Sequence, residues 1–277
     1  MHPVSLVKYE KSFESTLERG LKLIGGFGSL KSPVLIKPNI CTVSDDTGYS
    51  VTNVNLVEAL IRLILQKDNS LPIRIVETDS QSKFAEEAYE AFHYTDLEET
   101  MQSEGYDVSL VNLSKSPLKL IRFDGYYFND PELPDLLAEE SYFISVAIAK
   151  THQIAFLTGA LKNQFGLLPR KEQAVYHSKL DEIIVDLNRI IRPSLSIIDA
   201  RMGVEGWNGP KTREIGAIIM GKKPVSVDAA MARLMGFEPE VASHIIVSSK
   251  HNLGSLNPEI LGENLESMRV QLKAPKV

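Results

Sequence analysis

Residues 142–149, Tyr-Phe-Ile-Ser-Val-Ala-Ile-Ala, give the clearest strand signal in the chain, and the polar triplet Lys150-Thr151-His152 follows them directly. A short, continuous run of apolar residues rich in β-branched and aromatic side chains is typical of a strand buried on both faces of a sheet. We therefore interpret residues 142–149 as a buried strand that carries polar side chains at its carboxyl end.

Three other apolar runs end in the same way, each in a compact polar cluster. They are Val34 to Ile36 before Lys37-Pro38-Asn39, Ile73 to Val76 before Glu77-Thr78-Asp79, and Leu195 to Ile198 before Asp199-Ala200-Arg201. Between the strands, apolar residues recur at three- and four-residue spacing, which is typical of amphipathic helices. This alternation predicts an α/β fold: a parallel or mixed sheet with helices on both faces, in a Rossmann-like three-layer architecture.

The rest of the chain is assigned to less regular elements. Further strands are predicted at 4–8, 108–111, 118–123 and 215–220, a helix at 153–165, and a glycine-rich loop at 203–209. The sequence contains neither repeats nor a convincing interdomain linker. We interpret residues 1–277 as a single α/β domain, with residues 113–140 as a candidate small inserted lobe.

Composition limits the partners and the compartment of the protein. Thirty basic and 36 acidic side chains give a formal net charge of -6, which provides no overall attraction to nucleic acid or to an anionic membrane. No segment approaches the roughly 20 apolar residues of a membrane helix, and the N-terminal residues lack the pattern of a secretory signal. A cytoplasmic protein is the prediction.

Cys41 is the only cysteine in the sequence. A lone cysteine excludes an intrachain disulfide and an iron–sulfur cluster ligated by this chain alone. The thiol is interpreted either as a nucleophile near the first polar cluster or as an incidental small side chain.

The carboxyl ends of parallel strands meet at one edge of a sheet, where ligands of α/β proteins bind. The polar clusters are therefore expected to be neighbours. Lysines among them predict a cationic pocket for phosphate or carboxylate groups, although each lysine alone could also be a solvated surface charge. The predicted ligand-binding residues are Lys37, Asn39, Lys150, Lys162, Asn163 and Arg201.

His152 and His177 are the candidate catalytic residues, as general acids or bases. Asp199 and Asp228 are the candidate metal ligands, with either histidine, for a divalent metal. The spacing of the two histidines matches no compact metal motif, and a hydrogen-bonded structural histidine is the alternative for each.

The stretch from Gly203 to Pro210 is similar to a phosphate-binding loop only in its glycines. It lacks both the Walker lysine–serine ending and the dinucleotide-binding pattern, so turns are the simpler explanation of these glycines. Trp207 within it is a candidate for stacking on a ligand or covering the site.

Several motifs occur in a recognisable order along residues 4–240. They are Lys37-Pro38-Asn39, Lys150-Thr151-His152, the segment Thr158 to Gly166 (TGALKNQFG), His177, Asp199-Ala200, Gly209-Pro210 and Val227-Asp228-Ala229. In these motifs the chain resembles the domain-of-unknown-function family numbered 362. Many members carry ferredoxin-type cysteine motifs beside this domain, and the resemblance therefore implies an iron–sulfur association. Because this chain lacks such cysteines, that association would require a separate partner.

Three functional hypotheses follow. The first is an enzyme that binds a small anionic substrate at the strand ends, with assistance from a metal. The second is a redox component that works with a separate iron–sulfur partner, and the third is a non-catalytic metabolite-binding module. The sequence leaves the substrate, the metal and homo-oligomerisation open.

Overall fold

The computed structural model describes residues 3–169 and 172–275, with residues 173 and 174 described as backbone only. The ends of the predicted domain, 1–2 and 276–277, lie outside this range. The strands are β1 Val4–Lys8, β2 Val34–Pro38, β3 Ile73–Glu77, β4 Val108–Asn112, β5 Leu118–Leu120, β6 Glu132–Pro134, β7 Tyr142–His152, β8 Phe156–Thr158, β9 Leu195–Glu205, β10 Lys211–Gly221 and β11 Ile260–Gly262. The α-helices are α1 Phe13–Leu23, α2 Val54–Leu65, α3 Ala85–Ala91, α4 Tyr94–Ser103, α5 Ala160–Asn163, α6 Leu180–Ile190, α7 Pro224–Leu234, α8 Ser243–Ser249 and α9 Leu265–Met268.

Nine of the described strands form one mixed sheet in the order β11-β1-β10-β9-β7-β2-β3-β4, with β8 paired to β7 outside this order. The strands β4, β3, β2, β7 and β9 are parallel. Strand β10 is antiparallel to its neighbours β9 and β1. The predicted mixed α/β sheet is confirmed.

Helices cover both faces of this sheet, as the alternation of side chains along β2 illustrates. Leu35 belongs to one buried apolar cluster, and Val34 and Ile36 belong to the other. Helices α1 to α4 pack in the cluster of Ile36, and α5 to α8 pack in the cluster of Leu35. The three-layer prediction is therefore confirmed, because neighbouring residues of a strand point to opposite faces.

The strand order reverses between β2 and β7. From β2 the chain moves outward through β3 to β4, and it then returns to place β7 and β9 on the other side of β2. In open α/β sheets, such a reversal leaves a crevice beyond the carboxyl ends of the two strands. The carboxyl ends of β2 and β7 carry Lys37 and Lys150-Thr151-His152.

Several predicted boundaries were wrong. The polar triplets belong to the strands, since β7 extends to His152 and β9 extends through Asp199 and Arg201 to Glu205. Pairing explains the extension of β9, because its residue Glu205 is opposite Lys211 of β10. Most of the predicted loop at 203–209 is therefore strand and hairpin turn.

The predicted helix at 153–165 was also wrong in its first half. Lys150 pairs with Thr158 and His152 pairs with Phe156, so this segment turns back as β8 before α5 begins. A 3-10 helix, Gln164–Leu167, follows α5. The segment is helical only from Ala160 onward, because residues 156–158 pair with β7 as an antiparallel strand.

Residues 113–140 contain the two-stranded sheet of β5 and β6, apart from the main sheet. The predicted strand 118–123 is shorter, ending at Leu120. The buried carboxylate of Asp186 in α6 accepts hydrogen bonds from the backbone N–H groups of Tyr126, Tyr127 and Phe128, at 3.0, 2.7 and 3.0 Å. These bonds attach the turn of this segment to the main body. None of the described helices is long and apolar enough to cross a membrane.

Candidate functional site

A cavity of about 290 Å³ lies at the carboxyl ends of β2, β3 and β7, where the strand order reverses. We call it the switch-point cavity. Its walls include seven of the residues predicted from the sequence: Lys37, Asn39, Lys150, His152, Lys162, Asn163 and His177. Glu77, Lys83, Cys41 and Trp207 also line it. The position agrees with the general location of ligand sites in open α/β sheets.

Lys37, Glu77 and Lys83 form a buried ionic cluster at the floor of the cavity. Lys37 Nζ donates to Glu77 Oε1 and, at 2.7 Å, to the carbonyl of Pro38. Lys83 Nζ lies 3.0 Å from Glu77 Oε2 and also donates to the carbonyl of Thr78. Burial opposes ionisation of Glu77, but the two ammonium groups outweigh it and hold the pKa of Glu77 below its usual value.

Glu77 and Lys83 were missed as site residues. Glu77 was recognised only as part of a polar cluster at a strand end, and that position was the available signal. Lys83 lies in the loop after β3, where no sequence pattern marks it as a site residue. Only the fold brings its ammonium group to Glu77.

Lys150 is held in place by three acceptors. Its Nζ donates to Asn39 Oδ1 at 2.7 Å and to the carbonyl of Ser50 at 3.0 Å, and it lies 3.6 Å from Cys41 Sγ. An ammonium group has three N–H bonds, so these contacts account for all of them. Lys150 therefore contributes a fixed positive charge to the cavity wall.

The two predicted asparagines connect β2, β7 and α5. Asn163 Nδ2 donates to the carbonyl of Lys37 at 3.0 Å and to Ser145 Oγ at 3.1 Å. Asn39 Nδ2 donates to Asn163 Oδ1 at 3.2 Å, while Asn39 Oδ1 accepts from Lys150. The two side-chain amides therefore connect the elements that carry the cavity lysines: β2 with Lys37, β7 with Lys150 and α5 with Lys162.

Lys162 is the lysine of this site with the fewest polar contacts. It lies at the end of α5, partly buried, with its Nζ 5.6 Å from the centre of the Phe165 ring. Among the described residues, none accepts a hydrogen bond from this nitrogen or forms an ion pair with it. Burial and, secondarily, the positive charge of Lys150 lower the pKa of Lys162 to about 8.

The pKa values of both candidate catalytic histidines are lowered by their surroundings. His152 Nδ1 accepts from the backbone N–H groups of Ile154 and Ala155, at 3.1 and 3.2 Å. Burial, followed by the charges of Lys162 and Lys150, lowers the pKa of His152 to about 2. His177 stacks on Phe165 with ring centres 6.2 Å apart, and burial and Lys162 lower its pKa too.

Arg201 and Asp199 lie outside the cavity and bind each other. The guanidinium Nη2 of Arg201 is 2.8 Å from Asp199 Oδ2. The same guanidinium lies 4.5 Å from the ring centre of Phe13 and 5.2 Å from that of Tyr9. Their predicted roles in ligand and metal binding gain no support from this arrangement, because each charge is already paired.

Asp228 is also engaged, at the start of α5. Its buried carboxylate accepts from the backbone N–H groups of Ala160 at 2.6 Å and Leu161 at 3.0 Å. A Cβ atom on Gly159 would lie 2.2 Å from Asp228 Oδ1, so the close approach requires glycine there. Asp228 thereby fixes the segment that carries Lys162 and Asn163.

A metal site finds no support in the part of the chain that the structure describes. No group of three or more histidine, cysteine, aspartate or glutamate side chains is placed there to bind one ion. The predicted metal ligands Asp199 and Asp228 are bound to arginine and to backbone amides instead. Assistance by a divalent metal stays a prediction.

The turn between β9 and β10 covers one side of the cavity. The N–H of Gly206 donates to Thr151 Oγ1 at 2.8 Å, and Asn208 Nδ2 donates to the carbonyl of Ser44 at 3.3 Å. Cys41 Sγ lies 3.8 Å from the carbonyl of Trp207. Trp207 therefore lies at the cavity wall, 42% exposed.

The fold and the site define an α/β protein with a lysine-rich cavity at the switch point of its sheet. The family model described as "Domain of unknown function (DUF362)" matches residues 34–233, from the start of β2 into α7. The chain belongs to this family, and the resemblance inferred from its motifs is confirmed. The matched range contains the strands and α5 that form the cavity.

The chain is also similar to individual proteins. A thylakoid-associated protein from Synechocystis sp. is 25% identical over 267 residues, which cover 89% of this chain and 76% of that protein. The solved structure of the lactate racemase apoprotein from Thermoanaerobacterium thermosaccharolyticum matches 72% of this chain with 12% identity and a TM-score of 0.43. The chain spans 55% of the length of that racemase chain.

Proposed function

We propose that the protein is an enzyme that binds a small carboxylate- or phosphate-bearing molecule in the switch-point cavity and transfers a proton to or from it. The observation that carries the proposal is Lys162. Its ammonium group faces the cavity without an anionic partner among the described residues. A partly buried charge without a partner is costly, and a bound anion would offset that cost.

The charge of the cavity supports an anionic ligand. Four lysines and one glutamate are the charged side chains among its described lining residues, an excess of three positive charges. The chain as a whole has a formal net charge of -6. The positive charge is thus concentrated locally, and low-dielectric walls strengthen its attraction for an anion.

The size of the cavity supports a small molecule. About 290 Å³ is at the lower end of the range of ligand pockets, roughly 300 to 1,000 Å³. Such a volume suits a metabolite of a few carbon atoms or a single phosphate ester. The half-exposed Trp207 beside the opening would pack on the ligand as it enters.

In this proposal the residues have distinct tasks. Lys162 binds the anionic group, and the fixed ammonium group of Lys150 adds attraction. Proton transfer is assigned to His177, because a histidine with a pKa of about 2, such as His152, is a weak base at neutral pH. With Nδ1 accepting two backbone bonds, neutral His152 carries its proton on Nε2 and acts as a hydrogen-bond donor. No step is assigned to a metal.

The test is calorimetric titration of the protein with inorganic phosphate and with oxalate. We expect Lys162→Gln to weaken binding of the preferred anion at least about tenfold, since a charge-assisted hydrogen bond contributes about 1.5–3 kcal/mol. Lys67→Gln is the matched control, because Lys67 is exposed on the loop after α2 and its loss changes the net charge equally. Equal affinities for the wild type and Lys162→Gln would contradict the proposal.

The other two hypotheses share parts of this site. A metabolite-binding module would use the same cavity without proton transfer, and a redox component would need its separate iron–sulfur partner. Both stay predictions.

A further inference from the structure

The four lysines of the switch-point cavity differ in what their nitrogens contact. Lys37 and Lys83 donate to Glu77 and to backbone carbonyls. Lys150 has acceptors for all three of its N–H bonds. These three nitrogens are therefore already engaged by acceptors within the protein. Burial lowers the pKa of Lys37 too, so it is these contacts that distinguish the three lysines from Lys162.

Lys162 is in the opposite situation. Within residues 3–169 and 172–275, the contact recorded for its nitrogen is the face of the Phe165 ring, at 5.6 Å. Burial and the neighbouring charge of Lys150 both favour the neutral amine, and they lower the pKa to about 8. At pH 7 about a tenth of such a lysine is free amine, roughly two hundred times the fraction for an ordinary exposed lysine.

We propose that Lys162 is a covalent nucleophile, which forms a Schiff base with a small carbonyl compound that also carries a carboxylate, such as a 2-oxo acid. This inference rests on the proposed function, because it names the substrate class of the same cavity. Desolvation beside a second cation is a recognised way to activate a lysine for this chemistry. Geometry selects Lys162, since it alone among the cavity lysines has a nitrogen free of acceptors in the described structure.

The reaction is a condensation with loss of water. The lone pair of Nζ attacks the carbonyl carbon, and the carbonyl oxygen takes up a proton to give a carbinolamine. The hydroxyl group then leaves as water after a second protonation, while the nitrogen loses a proton and the C=N bond forms. No oxidant or reductant is needed. His177 stacks on the same Phe165 ring that Lys162 contacts, and the relay of these protons is assigned to its imidazole.

The remaining charges favour a substrate with a carboxylate. Apart from Lys162, the charged lining residues described are three lysines and Glu77, an excess of two positive charges. A carboxylate next to the carbonyl group would be attracted to these charges. Lys162, which binds the anionic group as an ammonium ion, then attacks the adjacent carbonyl carbon in its free-amine form. A neutral aldehyde of similar size lacks this attraction, and we expect it to react more slowly.

The experiment is reductive trapping. The full chain is incubated with glyoxylate or pyruvate and sodium cyanoborohydride at pH 7, and the adduct is located by peptide mass mapping. We expect a single predominant adduct on Lys162, formed at least about tenfold faster than adducts on exposed lysines such as Lys67. Acetaldehyde, as the neutral probe, should label Lys162 more slowly than glyoxylate does.

Lys162→Arg is the decisive variant, since it keeps the positive charge but has no amine able to form a Schiff base. It should lose the predominant adduct and retain binding of oxalate in the calorimeter. Labelling spread over surface lysines, equal in the wild type and Lys162→Arg, would overturn the Schiff base. If that occurred while oxalate still bound in a Lys162-dependent way, the proposed function would stand; failure of both would reject both.

Discussion

At the scale of single residues, Asp228 is the buried group whose ionisation has the clearest consequence. Burial raises its pKa to about 7 from an ordinary value of 3.8, although the N–H groups of Ala160 and Leu161 partly oppose the shift. The native state therefore holds this proton more tightly than the unfolded chain does. The resulting stabilisation is fully present below about pH 4 and is lost as the pH rises through about 7.

We expect the free energy of unfolding of the wild type to fall, relative to that of Asp228→Asn, as the pH rises from 4 to 7. The fall is at most about 4 kcal/mol, from 1.36 kcal/mol for each unit of pKa difference. Asparagine does not titrate, so any destabilisation caused by its amide is the same at every pH. It therefore does not affect the difference in pH dependence between the two proteins. Urea unfolding of both proteins at several pH values is the measurement, and parallel curves would show that Asp228 is ionised throughout.

At the scale of elements, the turn between β9 and β10 is connected to β7 through one bond, from the N–H of Gly206 to Thr151 Oγ1. Thr151 is buried, and Thr151→Val removes the acceptor while keeping the shape of the side chain. We expect a loss of about 1 kcal/mol in stability and a looser turn. Trp207 should then become more exposed.

Trp207 is the only tryptophan in the sequence, so its fluorescence reports directly on this turn. In Thr151→Val we expect the emission to shift to longer wavelength and anion binding to weaken a few-fold. Ser109→Ala, a change on β4 at the far edge of the sheet, is the control and should alter neither. An unchanged spectrum in Thr151→Val would mean that the contacts of Asn208 and Cys41 hold the turn without this bond.

At the scale of the whole molecule, one sheet separates two apolar clusters, and β2 contributes to both. Leu35 and Ile36 are fully buried on opposite faces. If the chain is a single domain, as the sequence predicts, a cavity on either face should destabilise the entire sheet. We expect Leu35→Ala and Ile36→Ala each to cost about 2–5 kcal/mol.

Unfolding should be followed by circular dichroism and by the fluorescence of Trp207. Coincident transitions in the wild type, moved to lower urea concentration in both variants, would support one cooperative unit. Two separate transitions, with each variant shifting only one of them, would instead divide the molecule into two domains.

The sequence by itself determined the layers of the fold and most of the cavity wall. Apolar strands such as residues 142–149 can only be buried, and helices between them must cover the two faces, so the three-layer sheet follows from patterning. The carboxyl ends of parallel strands share one edge, and this rule was sufficient to group Lys37, Asn39, Lys150 and His152. Lys162, Asn163 and His177 were proposed for the same site from their residue types, although they do not lie at the end of a predicted strand.

Only the tertiary structure decided which of these side chains are already bound within the protein and which can contact a ligand. Arg201 and Asp199 have suitable chemistry but pair with each other, and Asp228 binds the amides of α5. Lys83 comes to Glu77 from a loop in which no sequence pattern marks it, and Lys150 finds its three acceptors in the loop between β2 and α2, at least 100 residues earlier in the chain. The physical reason is that a strand pattern specifies the face on which a side chain lies. Hydrogen bonds and ion pairs depend instead on the distances between individual atoms, which the strand pattern does not specify. This holds whether the partners are two residues apart, as Asp199 and Arg201 are, or distant in sequence, as Lys150 and Asn39 are.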